Sequence, residues 1–194
     1  MKGGVKLIQY KLYRIYDEDR DETLSALNDL FTEEGIFILN STLIAIEYSD
    51  KDLTYRELVN KVRNLNLSQF IITSNYFIDI INYSIKNDYR INEIKFMDSI
   101  VTEDMKIINS YLDIINYEKN KLSKKEAITK LYSELNWISR EESIDIQQVT
   151  IRYKKEKSKI YNSIIINNNG VITIKDTTNN MLKNIVRGSI SEEI

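Results

Sequence analysis

The sequence predicts an α+β chain with a first part of order βαββαβ, helices in the middle and a C-terminal three-stranded β-meander. Three observations predict it. Residues 5–16 (VKLIQYKLYRIY) and 146–153 (IQQVTIRY) are rich in β-branched and aromatic residues, the composition of strands. Leu24, Leu27, Leu30 and Phe31 recur at helical spacing. Asn167-Asn168-Asn169-Gly170 separates two β-branched runs with residues that accept positive φ, a hairpin turn.

Taken in order, residues 5–16 form the first strand. A helix over 21–34 follows, with acidic residues at its start, where the helix dipole favours them, and Gly35 as its stop. Residues 36–39 and 43–48 are two short apolar runs around Asn40-Ser41-Thr42 and make a tight hairpin. Thr54-Tyr55-Arg56-Glu57 is a capping box, and Leu58, Val59, Val62 and Leu65 give the helix it opens one apolar stripe. Residues 68–74 (SQFIITS) read as the fourth strand. The order β-α-β-β-α-β is the split, or ferredoxin-like, arrangement. We assign residues 1–76 to a ferredoxin-like domain and residues 77–194 to a helical segment plus the meander, which either completes one domain with it or stands as a second.

In the second part, residues 77–85 predict a helix, and Ile91, Ile94, Met97 and Ile100 a further short one. Residues 105–117 give a third, and Ser123-Lys124-Lys125-Glu126 reads as a capping box before Ala127, Ile128, Leu131, Leu135 and Ile138. Together these suggest an antiparallel helical bundle. Trp137 reads as a core residue at a helix end, with an interface anchor as the alternative. Strands over 146–153, 160–166 and 171–175 make the meander, and a last helix covers 179–187.

The first part resembles a known superfamily. The segment RIYDEDRDETLSALNDLFTEEGIFILNSTLIAIEYSDKDLTYRELVNKV is similar to the small ferredoxin-like proteins that include the CRISPR adaptation protein Cas-two, the VapD toxins and the SinR-like proteins. The likeness is carried by a first strand ending in Tyr16-Asp17 and by a helix and strand running into Ser41-Thr42-Leu43-Ile44. A capped helix after an acidic turn completes it. The resemblance implies a homodimer and Mg²⁺-dependent cleavage of nucleic acid. It makes Asp17 the catalytic residue and a metal ligand, paired with its copy in a second subunit; Asp19, from the same acidic cluster, is the further candidate ligand.

Composition narrows the chemistry. The chain has 194 residues, 42% of them hydrophobic, enough for a real core. It contains His 0, Cys 0 and Pro 0. A disulfide framework, a thiolate nucleophile and Ser-His-Asp or Cys-His catalysis are thereby excluded, and an ordinary zinc site has no ligands to draw on. With Gly 5 there is no glycine-built phosphate cradle. No long apolar stretch predicts a membrane span, and no signal-peptide pattern stands at the N-terminus, so the expectation is a cytoplasmic chain with no membrane partner. The abundance of Ile, Asn, Lys and Tyr, all with AT-rich codons, suggests a phage, plasmid or other mobile element as the source.

Two charge clusters are candidate sites. Asp17, Glu18, Asp19, Asp21 and Glu22 lie together before the first helix. They read either as a solvated helix start or as the Mg²⁺ site that the resemblance implies. A Ca²⁺ loop fails because Glu22 stands where glycine is needed and Asn28 where a bidentate carboxylate is needed. The second cluster is Arg152, Lys154, Lys155, Lys157 and Lys159, with Tyr153 and Tyr161 interleaved. It reads either as a lysine-rich turn that keeps a sheet edge soluble or as a nucleic-acid grip in which cations hold phosphates and rings stack on bases.

From these features we expect a non-catalytic binding or inhibitory protein of a mobile element. It would need no cofactor and would act on a protein or nucleoprotein partner. The alternative is a Mg²⁺-dependent nuclease or a nucleic-acid-binding protein of the Cas-two and VapD type.

Overall fold

A computed structural model describes residues 7–16, 20–31, 35–49, 52–154, 161–174 and 185. The chain is α+β, with helices on both faces of one eight-stranded sheet. The described elements are β1 (Ile8–Ile15), α1 (Arg20–Leu30), β2 (Ile36–Ile38), β3 (Leu43–Tyr48), α2 (Tyr55–Val62), β4 (Leu67–Gln69) and α3 (Ser74–Lys86). They continue with β5 (Arg90–Phe96), α4 (Thr102–Tyr117), α5 (Lys121–Arg140), β6 (Ile146–Lys154), β7 (Tyr161–Asn167) and β8 (Val171–Ile174).

The sheet runs β2-β3-β1-β8-β7-β6-β5, and every pairing is antiparallel. Two strands share one edge of β1. β8 pairs with Ile8 to Lys11, and β4 pairs with Tyr13 to Ile15. Leu12 is the handover point: its N–H donates to the Gly170 carbonyl (2.9 Å), and its carbonyl accepts from the Phe70 N–H (3.1 Å). The turn before β8 must therefore pass close to the chain leaving β4. Gly170 permits this, because it sits at φ 74 and a Cβ there would collide with the Phe70 carbonyl oxygen.

Burial follows the alternation of each strand. In β1, Tyr10 and Leu12 join a core with α3, α4 and α5, while Tyr13 and Ile15 join a second core with Leu27 of α1 and Leu58 and Val62 of α2. β1 and β3 are thus buried on both faces. The strands β6 to β8 bury one face in the larger core (Val149, Ile151, Tyr153, Ile164, Ile166, Ile172 and Ile174); the other carries mainly polar residues such as Gln148, Arg152 and Ser163, with Thr150 buried and Val171 packed against the second core. Ser74 ties α3 to β6, donating to the Asp145 carboxylate (2.7 Å) and accepting from the Ile146 N–H (3.0 Å). The strand order β2-β3-β1 with β4 on the far side of β1 joins the first four strands. The same sheet crosses position 76, since β8 pairs with β1.

Several expectations are corrected. Residues 90–96 form an edge strand, not a helix. The first helix ends at Leu30. α5 opens at Lys121, with the Asn120 carboxamide accepting from the N–H groups of Leu122 (2.9 Å) and Ser123 (3.4 Å). Ser123-Lys124-Lys125-Glu126 lies inside the helix, where Glu126 pairs instead with Lys130 (2.7 Å). Trp137 is 47% exposed, because the buried stripe of α5 runs through Ala127, Leu131, Leu135 and Ile138. The Thr54–Glu57 capping box is present as expected. The last helix, over 179–187, lies outside the described residues apart from Ile185, which is buried in the larger core.

Candidate nucleic-acid interface

The start of β5, the end of β6, the start of β7 and the last turn of α4 meet at one end of the sheet. Antiparallel register places Arg90 opposite Arg152 and Lys154 opposite Tyr161. Paired positions share a face, so three cations and a ring gather on the polar face of this half of the sheet. Like charges directly across two strands oppose pairing. Stacking offsets that cost. The Arg90 guanidinium lies 4.8 Å from the Tyr117 ring centre and 4.6 Å from that of Tyr161, and Lys154 Nζ lies 4.9 Å from the Tyr161 ring centre. The result is a ladder, Tyr117–Arg90–Tyr161–Lys154, in which ring faces alternate with cations.

Two features fix the ladder. Asn116, next to Tyr117 on α4, makes a two-point amide pair with the backbone of Ile91, next to Arg90 on β5. Its Nδ2 donates to the Ile91 carbonyl (2.7 Å), and its Oδ1 accepts from the Ile91 N–H (3.2 Å). Consecutive residues of the helix thus grip consecutive residues of the strand. On the other side, the ladder between β6 and β7 runs unbroken from Gln148 to Lys154. Among the described residues, no carboxylate forms an ion pair with Arg90, Arg152 or Lys154. Charge that is stacked and not neutralised is a standing attraction for phosphate.

Of the sequence candidates, Arg152, Lys154 and Tyr161 come together here. Tyr153 points the other way: it is 4% exposed and packs in the core, its ring 6.4 Å from that of Tyr89. Lys155, Lys157 and Lys159 lie outside the described residues, as do Asp17 and Asp19. Arg90 and Tyr117 were not singled out by sequence, because the region between them reads as helices and gives no hint that they touch.

The first turns of α1 and the end of α2 frame a shallow cleft of about 390 Å³ lined by Glu22, Thr23, Arg63, Asn64 and Asn66. Among the described residues, no group of three or more carboxylates is placed to hold a metal ion. Lys11 is a buried amine. Its ammonium donates to the Asn169 carbonyl, and burial pulls its pKa down to about 8. Among the described residues, no helix is long and apolar enough to cross a membrane. No protein-family model, no curated protein and no solved structure matches this chain.

Proposed function

We propose that the chain is a non-catalytic binding protein that engages a nucleic acid or nucleoprotein through the Arg90, Arg152, Lys154, Tyr117 and Tyr161 end of its sheet. The supporting observation is the cation–ring ladder, held in place on two sides and carrying no carboxylate partner among the described residues. A surface of this kind attracts a phosphate backbone and discriminates little between sequences. The composition is in keeping with a mobile-element protein that occupies or blocks a host or phage nucleoprotein. The test is retention of labelled RNA and DNA in a native gel at increasing salt. The expected result is retention by the wild-type chain that weakens with salt and is lost in the double variant Arg152→Glu, Lys154→Glu. Retention unchanged in that variant, or none with the wild type at low salt, overturns the reading.

A second reading is a nuclease of the Cas-two and VapD type. It is supported by the order β2-β3-β1-β4 among the first four strands, all antiparallel, with α1 and α2 on one face, as a ferredoxin-like unit would have it. Mg²⁺-dependent cleavage that vanishes in Asp17→Ala would favour it. Absence of cleavage with intact binding would leave the first reading alone.

A further inference from the structure

We infer that the ligand of the ladder is a single-stranded nucleic acid, one base of which stacks on the open face of Tyr117; this rests on the binding role proposed above. Tyr117 is 62% exposed, and the Arg90 guanidinium is its one ring contact among the described residues. Tyr161 is different: it is half-buried and has two cations over its ring. One ring is therefore occupied inside the ladder, and the other ends it with π surface facing solvent.

The ligand must use both features. A duplex presents phosphates to Arg152 and Lys154 but keeps its bases paired and stacked inside, which leaves Tyr117 idle. An acidic peptide offers carboxylates and likewise has nothing for the ring. A single strand supplies phosphates and unstacked bases in alternation, and aromatic platforms beside a basic track accept any base because every base has a π face. The ring is also set in advance. The Asn116–Ile91 amide pair anchors the residue before it, and Arg90 backs its inner face, so little freedom remains to be lost on binding.

The experiment is fluorescence anisotropy with labelled oligo-uridine and oligo-thymidine of about 12 nucleotides, within the length one such surface spans. Self-complementary duplexes and polyglutamate serve as the other probes. Tyr117→Ala should weaken single-strand binding roughly 10-fold, the loss of one base stack. It should weaken duplex binding much less than single-strand binding, and Tyr117→Phe should bind single strands like the wild type. The uridine and thymidine arms separate RNA from DNA as the source. Since Tyr117 is exposed, the variants should melt like the wild type, which is checked in parallel. Equal binding of duplex and single strand by the wild type, tighter binding of polyglutamate, or no effect of Tyr117→Ala overturns the inference. If the Arg152→Glu, Lys154→Glu variant still loses binding in that case, the broader role stands without it. If no nucleic acid binds at all, both fall.

Discussion

The side chain of Asn116 does for Ile91 what a neighbouring strand would do: one carboxamide satisfies both the N–H and the C=O of that residue on the outer side of β5. Among the described residues β5 pairs with β6 alone, which makes it the edge of the described sheet, and an open edge is a template for other chains. Asn116→Leu should uncover both groups. The expected outcome is a loss of about 1–3 kcal/mol in chemical denaturation, the cost of leaving partly buried polar groups unmet, and self-association that grows with concentration in sedimentation velocity. A variant as stable and as monodisperse as the wild type would show that the amide pair is incidental.

Gly170 gives a second test. Its φ of 74 and the approach of the Phe70 carbonyl leave no room for a Cβ at the point where β8 and β4 share β1. Gly170→Ala should destabilise the chain by about 1–3 kcal/mol through positive-φ strain, with further loss from displacing the chain after β4. Asn169→Ala leaves φ at position 170 free and should cost less. Equal costs for the two would argue against the collision.

Lys11 makes a prediction about pH. Burial holds its folded pKa near 8, below the ordinary 10.5. Between those values the unfolded chain keeps a proton that the folded chain has released, so stability rises with pH across roughly 8 to 10, at up to ~1.4 kcal/mol per unit. Below that window both states carry the proton, and this group adds no slope. Above it the trend reverses. Burial raises the pKa of Tyr10, with Glu47 adding to it, and of Tyr13, so these phenols ionise first in the unfolded chain, and their contribution is lost as pH climbs towards their folded values. Urea denaturation at successive pH values should show the rise in the wild type and none in Lys11→Met. A Lys11→Met profile that keeps the rise would place its origin elsewhere.

What could be read from sequence depended on whether local pattern and tertiary placement agreed. β6 to β8 were legible because each buries one face and alternates, and because Asn and Gly mark the turn after Asn167. β5 was not. A bulge falls between Ile91 and Glu93 in its register with β6 and moves the next inward residue along by one. Ile91 and Ile94 are consequently both buried at a spacing of three, which imitates a helix. Trp137 was misread because it lies one position off the inward stripe of α5, a phase set only by packing against α3 and α4. The basic end was half visible. Lys154 and Tyr161 announce themselves beside Arg152, whereas Arg90 and Tyr117 join only through the contact of β5 with the last turn of α4, a contact between elements that no local pattern encodes.

The central claim is that nucleic acid is held at the meeting of α4, β5, β6 and β7. Photo-crosslinking of a single strand carrying 5-iodouracil, followed by peptide mapping, tests it most directly. The account predicts adducts on Tyr117, with Tyr161 as the secondary target, and their loss in Arg152→Glu, Lys154→Glu. Adducts confined to α1, α2 or Trp137, or none under conditions where the strand is retained, would contradict it.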